Sequence, residues 1–181
     1  GQITKRCTKR MIENAKAKGF TTATLMPTVA YNYKKNEEYD KILKKNKDIL
    51  EPSITLYPRE ISNCLNNLWD FGLNIVYQPH LDSLDTLTGE GEKTWRASFN
   101  FDPLRNGSNG PYYKNLFEDF FVFLKKNKEN IKQKIKQNNR QIDIVISAEL
   151  EKSTITYPSQ WKKLTLSMKK RLAEFELGEL I

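Results

Sequence analysis

Three short β-rich runs, each separated from the next by a helical pattern, constrain this chain more than any other feature. The runs occupy residues 20–26, 73–78 and 142–146, and two of them stop at a proline, Pro27 and Pro79. Strands joined through a single helix pair in parallel, and the crossover between them is right-handed. The intervening segments carry helical spacing. Ile3, Cys7, Met11 and Ala15 recur every fourth residue before Gly19, and Ile61, Cys64, Leu65, Leu68 and Trp69 share one face of a helix opening near Pro58. Leu116, Phe117, Phe120, Phe121, Leu124, Ile131 and Ile135 form the apolar stripe of one long helix over 112–136. Trp161, Leu164, Met168, Leu172 and Phe175 mark a last helix opening near Pro158. The order is α-β-α-β-α-β-α.

Loop lengths sharpen this. The segments that follow the first two strands run to about 30 residues, whereas those entering the strands are short. Long loops at the C-terminal ends of parallel strands are the habit of (β/α) barrels. The fold class expected is therefore α/β, a partial (β/α)8 TIM barrel of parallel strands alternating with helices, with residues 1–181 forming a single domain. A complete barrel takes roughly 250 residues, so 181 residues supply part of one.

Composition narrows the chemistry. A 38% hydrophobic fraction can bury a core, and no stretch reaches the ~18 apolar residues of a membrane span. The opening residues have no apolar signal-peptide core, and the chain begins with Gly1 rather than methionine. Two cysteines and one histidine cannot build a zinc finger or a histidine-rich metal centre. Cys7 and Cys64 fall on apolar faces and read as small hydrophobes. The net charge of +8 invites a nucleic-acid partner, but 23 lysines against 7 arginines, spread over helices and interrupted by acids, argue against one.

Candidate site residues lie just past the strand ends. Tyr31 and Tyr33 follow the first strand. His80, Asp82 and Asp85 follow the second, with Trp95 and Arg96 further along the same loop, and Glu149 and Glu151 follow the third. A carboxyl at the end of a buried strand is partly desolvated, which raises its pKa and suits Glu149 to donate a proton. Trp95 and Tyr31 can stack on sugar faces, while Arg96 and His80 can hydrogen-bond hydroxyls or fix a carboxylate. The bland alternatives are a capping Glu149, an Asx turn at Asp82, and an Arg96 paired within the protein. As a set, these residues describe a carbohydrate cleft better than a phosphate or metal site.

Three motifs carry a resemblance: Val76-Tyr77-Gln78-Pro79-His80-Leu81-Asp82, then Thr94-Trp95-Arg96, then Ile146-Ser147-Ala148-Glu149-Leu150. With Pro158 and Trp161 behind them, they are similar to the family 113 glycoside hydrolases, retaining TIM-barrel enzymes with β-mannanase as their characteristic activity. The resemblance implies a glycosidase acting on a polysaccharide or oligosaccharide, with Glu149 as general acid/base and no cofactor or metal. It implies substrate-binding roles for His80, Asp82, Trp95, Arg96 and Tyr31. The sequence departs from the family pattern where Ser147-Ala148 replaces Gly-Thr. A retaining mechanism also needs a nucleophilic carboxylate about 5 to 5.5 Å from the acid, and the family's lies on a later strand, outside this chain. The implied partners are a carbohydrate, and either the remaining half of the barrel or a second copy of the chain. The alternative expectation is a non-catalytic carbohydrate-binding descendant of the same fold.

Overall fold

The computed structural model describes residues 7–32, 41–42, 58–83 and 95–178. Three parallel strands form its centre: β1 (Thr22–Leu25), β4 (Asn74–Tyr77) and β6 (Ile142–Ile144), in that spatial order. Ala23 pairs with Ile75, and Ile75 in turn with Ile142. This is the mixed α/β arrangement expected from the alternation of runs, an arc of neighbouring parallel strands with helices between them. Among the described residues the arc does not close into a barrel.

β1 and β4 stop short of Pro27 and Pro79 as the sequence predicts, but the chain does not then enter a loop. Beyond Pro27 the chain resumes as β2 (Thr28–Asn32), and beyond Pro79 as β5 (His80–Ser83). β2 and β5 pair in parallel with the same offset as β1 and β4, so Pro27 and Pro79 lie side by side. Proline has no N–H to give to a ladder, yet its carbonyl still accepts. His80 N donates to Pro27 O at 2.9 Å, and Gln78 N donates to Leu25 O at 2.9 Å. The second pair of strands thus keeps the register of the first, in a separate sheet. A short strand, β3 (Lys41–Ile42), adds antiparallel to β2.

The helices pack where their apolar faces direct them. In α2 (Pro58–Asp70) Ile61, Cys64, Leu65, Leu68 and Trp69 are all buried, as the spacing predicts. Residues 112–136 are not one helix. They divide into α3 (Pro111–Leu116), α4 (Glu118–Lys126) and α5 (Lys128–Asn138). The first break falls at Phe117, whose fully buried ring packs against Tyr77 and Tyr112. The second falls at Asn127, whose side-chain amide donates to Phe123 O and so competes with the backbone ladder. In α1 (Lys9–Ala17) the inward residue is Ile12, while Met11 is exposed, because Thr8 caps the helix and leaves Cys7 ahead of it. Ile3 lies outside the described residues.

Cys7 and Cys64 form a disulfide, with Cα atoms 5.0 Å apart and a sequence separation of 57, so neither is the free small hydrophobe the sequence suggested. Tyr77 anchors the core beneath β4. Its ring stacks on Phe120 at 4.3 Å and its hydroxyl donates to Leu116 O at 2.6 Å. Burial pushes the phenols of Tyr77 and Tyr112 well above the usual range, so both act as permanent donors. Two further helices close the described chain, α6 (Glu151–Thr156) and α7 (Pro158–Glu174). Trp161, Leu164, Met168 and Leu172 of α7 are buried as their spacing predicts. No helix among the described residues is long and apolar enough to cross a membrane.

Candidate functional site

The extension of β4 into β5 sets the site. Alternation along a strand sends Leu81 and Ser83 inward, where both are buried, and leaves His80 and Asp82 together on the other face, half-buried. A 3₁₀ turn, Arg96–Ser98, packs against β5 and α6. Arg96 thereby reaches both Asp82 and the segment after β6.

Arg96 organises everything around it. Its Nε donates to Asp82 Oδ1 at 3.0 Å and its Nη2 meets the same oxygen at 2.6 Å. Its Nη1 donates to His80 Nδ1 at 2.8 Å and to Glu149 Oε2 at 2.9 Å. Four of the five N–H bonds of a guanidinium are therefore committed to protein acceptors. The Arg96–Asp82 pair is largely shielded, at 16% and 17% side-chain exposure, whereas Glu149 is 47% exposed.

That figure corrects the argument for a desolvated strand-end acid. β6 ends at Ile144, two residues earlier than the apolar run suggests, and Glu149 lies in the turn between β6 and α6 rather than on the strand. Its backbone is left-handed, with φ of 54°, a conformation that costs an ordinary L-residue about 1 kcal/mol. The turn is fixed from both sides. Tyr112 Oη donates to Ile146 O, and Ser153 Oγ at the start of α6 donates to Phe101 O at 2.8 Å.

The hydrogen bonds determine the state of His80. A guanidinium only donates, so Nδ1 must accept, and a neutral ring then carries its proton on Nε2. The Gln78 side-chain amide lies 3.2 Å from Nε2 and must turn its oxygen to that proton. Burial first and the Arg96 charge second hold His80 below the ordinary imidazole range, against the opposing pull of Asp82 and Glu149. The cluster thus sets two carboxyl groups and a neutral imidazole around one cation.

Trp95 stands at the edge of this cluster, 63% exposed, with the Arg96 guanidinium 5.3 Å from its ring centroid. Tyr31 contributes backbone to β2, paired with Ser83 and Ile42; its side chain lies outside the described residues, as do Tyr33 and Asp85. Glu151 opens α6 and is exposed. Gln78 is the member that sequence reasoning passed over. Its signal was its place two residues before His80, a spacing that puts both side chains on one face of an extended backbone. Among the described residues no three His, Cys, Asp or Glu side chains gather in a way that could hold a metal ion.

No protein-family model and no curated relative matches the sequence. A solved structure described as a complex of a GH113 β-1,4-mannanase matches 90% of this chain, at 16% identity and a TM-score of 0.49. The match covers 45% of that protein, so this chain spans less than half of its length.

Proposed function

We propose that this chain is a carbohydrate-recognising domain of glycosidase type, mannanase-like in its motifs, acting on a polysaccharide or oligosaccharide. The observation that carries this reading is the Arg96 cluster. Residues from two neighbouring parallel strands and the loops after them converge at the C-terminal end of the sheet, beside an exposed tryptophan. Ligand sites in parallel α/β architectures gather at that end.

In this reading Arg96 is a positioning residue. It grips Glu149 through Oε2 and leaves Oε1 to face the substrate. Glu149 gives its proton to the glycosidic oxygen as the bond to the anomeric carbon breaks. A nucleophilic carboxylate from outside this chain bonds to that carbon. Glu149 then takes a proton from water as the hydroxide displaces the carboxylate, with net retention. His80, donating through Nε2, and Asp82 orient hydroxyls or hold the arginine that does. The barrel is completed by the remaining half of the same protein or by a second copy.

One observation favours a second reading, a non-catalytic binding domain of the same fold. Asp82, the other carboxylate of the cluster, is held by the same guanidinium as Glu149, so the cluster alone supplies no nucleophile.

The test is a panel of β-mannan, β-glucan and xylan oligosaccharides, assayed for binding with this chain and for cleavage with the full gene product, each beside its Glu149→Gln variant. Cleavage lost on substitution while binding persists supports the acid/base role. Binding without cleavage selects the second reading. Absence of binding to every sugar overturns both.

A further inference from the structure

The charges of α7 are arranged unlike those of α5. No acidic residue lies between Glu151 and Glu174, the last residue of α7. Arg171 is half-buried and engaged, donating to Tyr113 Oη at 2.8 Å and lying 4.1 Å from that ring. Lys162, Lys163, Lys169 and Lys170 are all exposed, and among the described residues none of them has an acidic partner. On α5, by contrast, Lys128 and Lys132 pair with Glu129 and Glu176, and Lys134 pairs with Asp70.

Helix geometry sets the four lysines around one apolar residue. Leu166, 56% exposed, lies on the face opposite the buried Trp161, Leu164, Met168 and Leu172. Lys162 and Lys169 flank it on one side, Lys163 and Lys170 on the other, at the spacings of three and four that make neighbours on a helix surface. Ser159 and Ala173, both exposed, continue the line of Leu166 toward each end. The face is a ridge about 25 Å long, small or apolar along its crest and lined with ammonium groups down each flank.

We propose that this face of α7 rests on a membrane surface that carries anionic lipids. A straight ridge meets a plane along its whole length. Its crest enters the headgroup region while the lysine stems lie beside it and their ammonium groups reach lipid phosphates and carboxylates. Each lysine held near such a surface strengthens binding about fivefold. The outward face of α7 holds no arginine, whose planar fork is the better reader of phosphates on nucleic acid and of carboxylates on an acidic protein. On a duplex, Leu166 would face phosphates and find nothing apolar to bury it. α7 is neither long nor apolar enough to cross the bilayer, so the contact is with its surface alone.

The test sediments the intact chain with vesicles of phosphatidylcholine and with vesicles of phosphatidylcholine mixed with phosphatidylserine. Binding is expected to the mixed vesicles only, and it should weaken as salt rises. Lys162→Gln with Lys169→Gln should weaken it about 25-fold, whereas Lys125→Gln with Lys126→Gln, an equal loss of charge from exposed positions of α4, should change it by less than about twofold. Leu166→Ser should weaken it about fivefold, because it removes the crest and leaves the charges. Equal losses from the two lysine pairs would mean that net charge alone draws the chain to the vesicle, and the assignment of this face would fall. A duplex oligonucleotide that displaces the vesicles and binds regardless of Leu166→Ser would replace the lipid surface with nucleic acid. Absence of binding to mixed vesicles at low salt overturns the proposal outright. None of these outcomes depends on sugar binding, so the carbohydrate reading stands or falls separately.

Discussion

Two arginines sit over tryptophans at opposite ends of the parallel sheet, and they do different work. Arg140 precedes β6. It lies 4.0 Å from the Trp69 ring centroid, is 9% exposed, and donates to the carbonyls of Trp69 in the last turn of α2 and of Leu73 just before β4. Arg96 follows β5, lies 5.3 Å from Trp95, and donates to two carboxylates and an imidazole. The first pair is sealed: Trp69 is buried and its indole donates to Asn130. The second is open. A guanidinium that satisfies helix carbonyls holds a frame together, whereas one that gathers side-chain acceptors beside an exposed ring arranges groups that a ligand can reach. Partner type and burial separate a structural arginine from a site arginine where composition cannot.

The comparison breaks first at Arg140. Arg140→Ala removes donors from two buried carbonyls and a cation from the Trp69 face, and should cost about 3 kcal/mol of stability in urea unfolding. Oligosaccharide affinity of the folded fraction should be unchanged. A loss below about 1 kcal/mol would mean that water satisfies those carbonyls, and that the sealed end is no more structural than the open one.

Arg96→Ala should have the smaller effect on stability and the larger effect on binding. Solvent reaches Glu149 and can replace its ion pair, so that contact contributes about 0–1 kcal/mol. Asp82 is better shielded and loses charged hydrogen bonds, which brings the expected total to about 2 kcal/mol. Arg96→Lys should restore little, because an ammonium cannot reach Asp82, His80 and Glu149 in one planar fork. Full rescue of sugar binding by lysine would reduce Arg96 to a point charge and remove its positioning role.

Much of the frame was legible in the sequence because its signals are periodic. The faces of α2 and α7, and the parallel order of β1, β4 and β6, follow from apolar spacing and from single helices between strands. The features that escaped have no period. Pro27 and Pro79 read as stops because a proline's effect depends on its neighbour. Two prolines in register end one pair of strands together, and the Pro27 carbonyl accepts from His80 N where the next pair begins. α6 was invisible because Glu151-Lys152-Ser153-Thr154-Ile155-Thr156 has no apolar stripe and turns its isoleucine outward. The disulfide was hidden because a cysteine on an apolar helix face looks the same whether paired or free. Position after a strand end singled out His80, Asp82, Trp95, Arg96 and Glu149, which the structure brings together in one cluster. The hub itself was not legible, since it depends on a 3₁₀ turn meeting β5 and α6.

The smallest effect is the most specific. His80 is the single histidine of the chain, so its ring signals in an NMR titration need no assignment. Burial and the Arg96 charge lower its pKa in the folded state, so at mildly acid pH the unfolded chain binds more protons than the folded one. The stability tied to a neutral His80 is therefore complete above the ordinary imidazole value of about 6.5. It erodes as pH falls below that value and stops changing once pH has passed the lowered folded value. His80→Asn should flatten this part of the stability–pH curve. Arg96→Ala should move the folded midpoint upward but only part of the way, because burial is the larger cause and survives the substitution. A wild-type midpoint at or above the ordinary value would mean that folding gives no preference to the neutral ring that a donor at Nδ1 favours, and the arrangement that distinguishes the open end of the sheet from the sealed one would be wrong at its centre.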